Sequence, residues 1–315
     1  MDLQYLHWLQ SLREQWGAPV ENFFVFISNL DINAFIILIP CILFWCFSKH
    51  AGQIVFFTYN IGPCVNTLLK NTICCRRPFI RDPSLYPSTL TPRPHNYSFP
   101  SGHSATAVNT FGSAGWVIRN KYKILSWILW IFVVLVLFSR NFLGAHTPQD
   151  VIVALINGIL TIFLIELLFK YLKEHPEKDT IILFYGLIIL IILSAYILLK
   201  GYPDQNITKV SKMISIRESL NEIGGVLGML LAWFLERKLI NFKDPETISS
   251  SEKGVRFIVG FICILICFFY IYPFLFQFRW YRPLHLFVQN IIIIFCIPLT
   301  FNKISTWFNL KPNTK

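Results

Sequence analysis

Charged residues are scarce in this sequence of 315 residues. Asp, Glu, Lys and Arg together make up 14% of the chain, whereas a typical soluble domain carries about 25%. This deficit argues against a cytosolic globular enzyme. Disorder is excluded as well, because disordered chains are poor in aromatic residues and this chain is 16% aromatic.

Signals for a disulfide framework, a zinc site and a secretory leader are lacking too. The eight cysteines show no zinc-like spacing, and six of them lie in apolar stretches where Cys behaves as a small hydrophobe. The first residues have neither the basic region nor the short apolar region of a signal peptide. No cysteine-based metal site or secretory processing is therefore expected.

Charge of one sign dominates, with a formal net charge of +11. In a soluble protein such an excess would indicate nucleic acid, but no nucleic-acid-binding signature is present. Basic residues at the ends of membrane helices face anionic lipid headgroups, and this interpretation fits the composition better. Membrane lipids are therefore the expected surroundings, and nucleic acid is not an expected partner.

Long uncharged runs are abundant, and a membrane-spanning helix needs about 20 apolar residues. The pattern predicts an all-α, polytopic transmembrane helix bundle of about nine spans. The expected spans are 32–47, 51–69, 98–118, 124–139, 151–169, 180–199, 223–235, 257–278 and 283–301. The segment 223–235 has only 13 uncharged residues, so it is interpreted either as a span or as a re-entrant piece.

The N-terminal stretch has a different pattern. Leu3, Leu6, Leu9 and Leu12 recur every three residues, which predicts an amphipathic helix lying on the membrane surface. No linker to a soluble domain is evident. We therefore expect residues 1–315 to form a single membrane domain.

Basic residues also predict orientation. With nine spans, the face opposite the N terminus carries 15 Lys and Arg, and the N-terminal face carries 13. Several of six basic residues in the polar stretches of the N-terminal face look functional. Leaving those six out gives 7 against 15, so the opposite face is predicted to be cytoplasmic. The expected localisation is the cell or inner membrane, with the polar segments on the extracytoplasmic, periplasmic or lumenal side.

The first polar segment, 70–78, contains two cations. Lys70 and Arg77 are seven residues apart, close to two helical turns, so both are expected on one face of a helix that ends or turns at Pro78. Two such cations at a membrane surface can clamp one anion. The alternative is that they only reach towards lipid headgroups.

The second polar segment precedes an uncharged run. Ser101 is expected to cap a helix, and Gly102 lets the main chain approach a ligand closely. Free N–H groups at a helix N-terminus bind phosphates, and His103 would face the bound group. The alternative is a capping turn with a structural histidine.

The third polar segment contains a cation, a histidine and a carboxylate. Thr147 is expected to cap a helix, with Pro148 as its first residue and Asp150 as its acidic third residue. His146 lies just before that start, where the carboxylate can fix its tautomer and raise its basicity. Arg140 lies nearby, which weakens the alternative that Asp150 only caps the helix.

All three segments fall on the same membrane face in the predicted topology. They place three cations, two histidines, a Gly turn and one carboxylate together, which suits a dianionic phosphoryl group. One histidine would attack phosphorus and the other would protonate the leaving oxygen. No acidic cluster that could hold magnesium is present, so chemistry without a metal or cofactor is expected.

These segments resemble the three signature motifs of the type 2 phosphatidic acid phosphatase superfamily, K-x6-R-P, P-S-G-H and S-R-x5-H-x3-D. The chain matches them at 70–78, 100–103 and 139–150 with no departure at a signature position. The resemblance covers about residues 50–170, which would form the catalytic core. Residues 171–315 would add transmembrane helices of unknown role.

The resemblance implies a role for each matched residue. His146 would be the nucleophile that forms a phosphohistidine, Asp150 would orient it, and His103 would be the general acid. The groups that would hold the phosphoryl oxygens are Lys70, Arg77, Ser101, Gly102 and Arg140. The expected reaction is hydrolysis of a lipid phosphomonoester or diphosphate of the phosphatidic acid, sphingoid-base phosphate or polyprenyl diphosphate type.

Three alternatives stay open at this point. The nine-span layout is similar to that of the family's glucose-6-phosphatases and sphingosine-phosphate phosphatases, and likeness to the former would imply a soluble phosphate ester as substrate. A lipid phosphotransferase would use another hydroxyl in place of water. A transporter or scaffold with a vestigial pocket is the non-enzymatic alternative, and the sequence does not fix an oligomeric state.

Overall fold

The computed structural model describes residues 2–30, 34–85, 96–208, 210–278 and 284–310. These residues form helices and connecting segments, with no strand among them. Ten helices have ten residues or more. They are α1 (Asp2–Leu30), α2 (Leu38–Phe47), α3 (Lys49–Ile73), α4 (102–118), α5 (Lys123–Phe142), α6 (Pro148–Glu174), α7 (Pro176–Leu199), α8 (Lys212–Leu235), α9 (Ser250–Phe276) and α10 (His285–Phe308).

Five of these helices, α5, α6, α7, α9 and α10, are long and apolar enough to cross a membrane. Their outer surfaces are apolar and uncovered; Ile124 and Trp127 on α5 are 78% and 71% exposed, and Ile191 on α7 is 69% exposed. An apolar surface of this extent needs lipid around it. The chain is therefore an integral membrane protein built from helices.

Helix α3 lies at the centre of the bundle. It packs against α4, α6 and α8, and more than half of its residues are buried. Several polar side chains on α3 bond to protein groups: Thr58 donates to the carbonyl of Asn109, and Asn60 accepts a hydrogen bond from Asn290 on α10. Helices α3, α4 and α8 are thus surrounded by protein, which explains why they tolerate polar residues that a lipid-facing helix would not.

The N-terminal helix α1 packs on α5 and bends at Gly17, whose φ of +73° lies in the left-handed region. Leu6 and Leu9 are buried in a cluster with Phe142 and Leu143. The leucine face therefore contacts protein. Placement of this helix on a membrane surface stays a prediction.

The weakest of the expected spans, 223–235, is the second half of a longer helix. Helix α8 begins eleven residues earlier, at Lys212, and its polar first half packs on the C-terminal end of α3. A Cβ at Gly228 would lie 2.5 Å from the carbonyl oxygen of Phe287, so a glycine is required for the close approach of α8 and α10. The segment is thus a helix of the bundle and not an isolated piece.

Candidate active site

Four helix ends meet at one end of the bundle and carry the three polar segments. The C-terminal ends of α3 and α5 bring Lys70 and Arg140, and the N-terminal ends of α4 and α6 bring His103 and Asp150. Antiparallel packing of α3 with α4 and of α5 with α6 produces this arrangement, because each pair is joined at or near this end. His103, Arg140, Lys70 and His146 are close enough to interact electrostatically.

The start of α6 has the capping arrangement expected from the sequence. The Thr147 hydroxyl accepts from the Asp150 N–H at 3.4 Å, and the Asp150 carboxylate accepts from the Thr147 N–H at 2.9 Å. Gly144 makes the preceding turn with φ +66°, and a Cβ there would lie 3.3 Å from the carbonyl of Leu85. The cap and the turn together place His146 inside the protein, where it is 1% exposed.

A dyad of His146 and Asp150 lies at the centre of the site. Asp150 Oδ2 is 3.3 Å from His146 Nδ1. Ser98 Oγ donates to the same oxygen at 2.5 Å and lies 3.5 Å from Nδ1. Both the carboxylate and the imidazole are thus held by the segment that precedes α4.

The hydrogen bonds of His146 define its tautomer. Arg77 Nη1 lies 3.0 Å from His146 Nε2, and a guanidinium only donates. Nε2 must therefore accept, so the ring proton is on Nδ1 and is donated towards Asp150. The nitrogen with the available electron pair is Nε2, on the side of the cations.

Burial lowers the pKa of His146 well below its ordinary range, and the positive charges of Arg77, Lys70 and Arg140 lower it further. The imidazole is consequently neutral at neutral pH. A neutral imidazole with an unprotonated Nε2 is the form that can attack an electrophile.

Arg77 does not lie on the same helix as Lys70, so the sequence-based expectation of one helical face is wrong. Helix α3 ends at Ile73, and Cys74 adopts the left-handed conformation that terminates it. Arg77 follows in extended backbone. Its guanidinium donates to the carbonyl and side-chain oxygens of Asn96 at 3.3 and 2.5 Å and to the carbonyl of Ala145 at 3.2 Å.

Burial lowers the pKa of Arg77 to about 10, which leaves its guanidinium charged at neutral pH. Its bond to His146 Nε2 and its bonds to carbonyl oxygens are all contacts that an anion could replace. Arg77 is therefore a partly buried cation next to the nucleophilic nitrogen.

Lys70 is directed at the second polar segment. Its ammonium donates to the carbonyl oxygens of Tyr97, Ser98 and Pro100 at 3.0, 3.2 and 2.5 Å. All three N–H donors of the ammonium are thus used, and Lys70 holds the backbone segment that precedes α4. Direct contact of Lys70 with a phosphoryl oxygen stays a prediction.

The start of α4 is capped by Ser101 as expected, because its hydroxyl accepts from the Ser104 N–H at 3.3 Å. The Ser101 N–H donates to the carbonyl of Asp150 at 2.9 Å, which joins the starts of α4 and α6. Around Gly102, a Cβ would meet nothing within 4 Å, so the glycine borders open space. First-turn N–H groups beside open space at a helix N-terminus can accommodate an anion.

Arg140 connects the site to the N-terminal helix. Its carbonyl oxygen accepts from the His146 N–H at 3.2 Å, and its guanidinium donates to the hydroxyl of Ser28 on α1. Ser28 is 2% exposed.

In the part of the chain that the structure describes, no group of three or more His, Cys, Asp or Glu is placed to hold a metal ion.

Three residues that contact the predicted site residues were missed from the sequence. Ser98 holds Asp150, Asn96 holds Arg77, and Ser28 holds Arg140. Ser98 and Asn96 lie just before the second polar segment, and this position in the sequence could have indicated that they are near the site. Ser28 lies 112 residues from its partner, and no local pattern indicates that contact.

We expect Ser98→Ala to lower kcat about 10- to 100-fold with little change in KM. Ser98 contacts the carboxylate and not the expected phosphoryl position, so its loss misplaces the dyad without removing a substrate contact. Steady-state kinetics on a hydrolysed substrate would measure this split. Ser84→Ala, which removes an exposed hydroxyl bonded to Asp82, is the matched control, and equal kinetics for the two variants would contradict the prediction.

Comparison with known proteins identifies the family. The PAP2 superfamily model matches residues 51–174, the part of the chain that contains all three segments. An undecaprenyl-diphosphatase of Sulfolobus acidocaldarius is 30% identical over 149 residues, which cover 47% of this chain and 69% of that protein. The chain belongs to the PAP2 superfamily.

Two further PAP2 relatives are similar over longer segments. A probable sphingosine-1-phosphate phosphatase of Dictyostelium discoideum is 29% identical over 214 residues, 63% of this chain but only 49% of that protein. The undecaprenyl-diphosphatase BcrC of Bacillus subtilis is 28% identical over 175 residues, 55% of this chain and 86% of that protein. No solved structure matches the chain significantly.

Proposed function

We propose that this PAP2 protein is an integral membrane phosphatase that hydrolyses a lipid phosphomonoester or a lipid diphosphate. The observation that carries the proposal is the buried dyad of His146 and Asp150, whose Nε2 faces the Arg77 guanidinium at 3.0 Å. A neutral nucleophile next to a fixed cation suits attack on a phosphoryl group. The names of the relatives support a lipid phosphate as the substrate class.

In the first step, His146 Nε2 attacks phosphorus and the bond from phosphorus to the ester oxygen breaks. Binding of the negatively charged phosphoryl group offsets the positive charges of Arg140, Arg77 and Lys70 around His103 and favours its protonated form. Protonated His103 then gives its proton to the leaving oxygen, and the phosphoryl group is now bonded to Nε2. Arg77 exchanges its contact with Nε2 for a phosphoryl oxygen. Arg140 and the N–H groups at the start of α4 hold the remaining negative charge.

In the second step, water attacks the phosphohistidine. His103, now neutral, takes a proton from the water, and the bond from phosphorus to Nε2 breaks. Inorganic phosphate leaves, and both histidines return to their starting forms. Asp150 stabilises the positive charge that His146 carries between the two steps.

We infer nine membrane spans, the five apolar helices together with α2, α3, α4 and α8. The last three keep their polar residues inside the bundle, which supports their placement within the membrane. The site would then lie on the extracytoplasmic or lumenal face, opposite the face that is richest in Lys and Arg. Lipid phosphates in that leaflet would reach the helix ends by lateral diffusion.

The test is phosphate release by the purified full-length protein in detergent with a chelator present. The substrates are phosphatidic acid, a sphingoid-base phosphate, a polyprenyl diphosphate and glucose 6-phosphate. We expect release from one of the lipids, and a lower rate when detergent is added at constant bulk lipid, because the lipid is diluted on the micelle surface. Release from glucose 6-phosphate alone, or from no substrate, would contradict the proposal.

A further inference from the structure

A second polar cavity lies at the other end of the bundle. It has a volume of about 860 Å³, within the range of about 300–1,000 Å³ that is usual for ligand sites. Lys49 at the start of α3 lines it, whereas Lys70 near the other end of α3 lies in the catalytic site. Their separation of 21 positions corresponds to about 30 Å of helix, so the two sites are separate.

The floor of this cavity is apolar. Ile54, Phe169 and Leu172, on α3 and α6, are buried residues that line it. The floor lies where the central helix α3 meets α6, and α6 also presents Leu164 and Leu167, which are 60% and 47% exposed, to the surrounding lipid. An occupant with an apolar part could therefore extend into this floor.

The rim of the cavity is charged, and two of its acids are already paired. Asp179 accepts from Arg237 at 2.7 Å, and Glu166 accepts from Arg119 at 3.2 Å. A third pair, Lys49 with Glu236 at 2.8 Å, fixes the start of α3. These ion pairs hold the walls in place and leave no net charge of their own.

Three lysines remain on the rim. Lys121 follows α4, Lys173 is near the end of α6, and Lys238 follows α8, so they approach from three separate elements. None of them forms an ion pair with a residue in the described ranges. Two carboxylates, Asp244 and Glu246, also line the rim.

The two rim carboxylates belong to a turn of their own. Asp244 Oδ1 accepts from the N–H of Glu246 at 2.9 Å, which caps that turn. The three ammonium groups outnumber these two carboxylates by one, so the opening has a formal net charge of +1 once the three ion pairs are counted as neutral. An apolar floor below a cationic rim is complementary to a molecule with an anionic head and an apolar tail.

We propose that this cavity binds the phosphate headgroup of an anionic phospholipid from the leaflet opposite the catalytic site. The lysines of the rim contact the phosphate, and the acyl chains extend along the apolar floor. This face is the one predicted to be cytoplasmic, where anionic lipids attract basic protein surfaces. None of the proposed catalytic residues lines this cavity. Lipid binding in the cavity can therefore be tested separately from the proposed phosphatase activity.

The experiment uses the full-length protein in phosphatidylcholine nanodiscs and a phosphatidylglycerol that carries a fluorophore on its acyl chain. The cavity variant is Lys121→Gln with Lys173→Gln and Lys238→Gln. The matched control is Lys123→Gln with Lys170→Gln and Lys303→Gln, three lysines on the same face that do not line the cavity. Both variants lose the same charge, so a diffuse surface attraction would weaken equally in both.

We expect the cavity variant to bind the labelled lipid at least about tenfold more weakly than the wild type, and the control variant to change less than about twofold. Equal weakening in the two variants would overturn the proposal. Thermal unfolding in nanodiscs without anionic lipid shows whether each variant is folded.

A competition with the wild-type protein tests the same proposal without any substitution. Unlabelled phosphatidylglycerol should displace the labelled lipid, whereas phosphatidylcholine should not. Displacement by inorganic phosphate as effective as by phosphatidylglycerol would assign the cavity to soluble phosphate esters and overturn the lipid assignment. Displacement by phosphatidylcholine would overturn the preference for anionic lipids.

Discussion

Replacing His146 with alanine is expected to lower kcat at least about 10⁴-fold on every substrate that the protein hydrolyses. His146 provides the only bond to phosphorus in the proposed first step, and no second nucleophile lies beside Arg77 among the described contacts. The remaining cations still bind phosphate, so KM should change far less than kcat. His175→Ala, at a partly exposed histidine after α6, should leave the kinetics unchanged.

A quench experiment makes the expectation specific to a covalent intermediate. Wild-type protein mixed with a substrate that is radiolabelled in its phosphoryl group and stopped in alkali should retain label. The label should be lost on acid treatment, because a phosphohistidine is acid-labile, and His146→Ala should retain none. Stable label in His146→Ala would show that another residue is the nucleophile.

Comparison of His103→Ala with His146→Ala on two substrates separates the roles of the two histidines. A general acid matters most when the leaving oxygen is a poor leaving group. His103→Ala should therefore lose much of its rate on a lipid phosphate and recover on p-nitrophenyl phosphate, whose leaving group needs no proton. His146→Ala should not recover on either substrate. Identical behaviour of the two variants would contradict the separate roles.

The sequence predicted the local geometry of the site well where neighbouring residues determine it. Thr147, Pro148 and Asp150 form the predicted helix start, because a capping box is made from residues three apart. Ser101 caps α4 for the same reason. Such motifs need no information about the rest of the fold.

Prediction from the sequence was less accurate where helix ends and distant contacts matter. The end of α3 was expected near Pro78, yet the helix ends at Ile73, and the left-handed Cys74 turns the chain so that Arg77 approaches His146 from a loop. A residue before proline disfavours helix, which was a partial signal. The contact of Ser28 with Arg140 depends on the packing of α1 against α5 and had no local signal.

The polar half of α8 shows the same limit for membrane helices. Lys212, Arg217, Glu218 and Glu222 interrupt its hydropathy, so the sequence indicated only a short span. In the structure the helix is continuous, and Ser219 accepts from Asn71 on α3 at 2.8 Å. Polar residues that face a protein interior are indistinguishable, in a single sequence, from polar residues that end a span.

Replacing Asp150 is the second change with a large expected effect, and two substitutions separate its two contributions. One carboxylate oxygen, Oδ2, accepts from Ser98, Thr147 and His146. An asparagine can present its carbonyl oxygen to the same three donors, so Asp150→Asn keeps the orientation and loses the negative charge. Asp150→Ala loses both.

We expect kcat to fall about 10²-fold in Asp150→Asn and about 10³- to 10⁴-fold in Asp150→Ala. The asparagine variant lacks the charge that stabilises His146 when it becomes positive in the transition state. The alanine variant also frees the imidazole to rotate and to change tautomer, which removes the electron pair from the Nε2 position. Steady-state kcat on one substrate, compared across the three proteins, measures both contributions.

Stability has to be separated from chemistry in this comparison, because Asp150 also belongs to the capping box of α6. Thr147→Ala removes the other half of that box and costs about 1 kcal/mol of stability while leaving the carboxylate in place. Its kcat should stay within about tenfold of the wild type even if its unfolding temperature falls as far as that of Asp150→Ala. Equal kcat values for Asp150→Asn and Asp150→Ala would show that charge alone matters, and an active Asp150→Ala would remove Asp150 from the mechanism, leaving Arg77 as the group that orients His146.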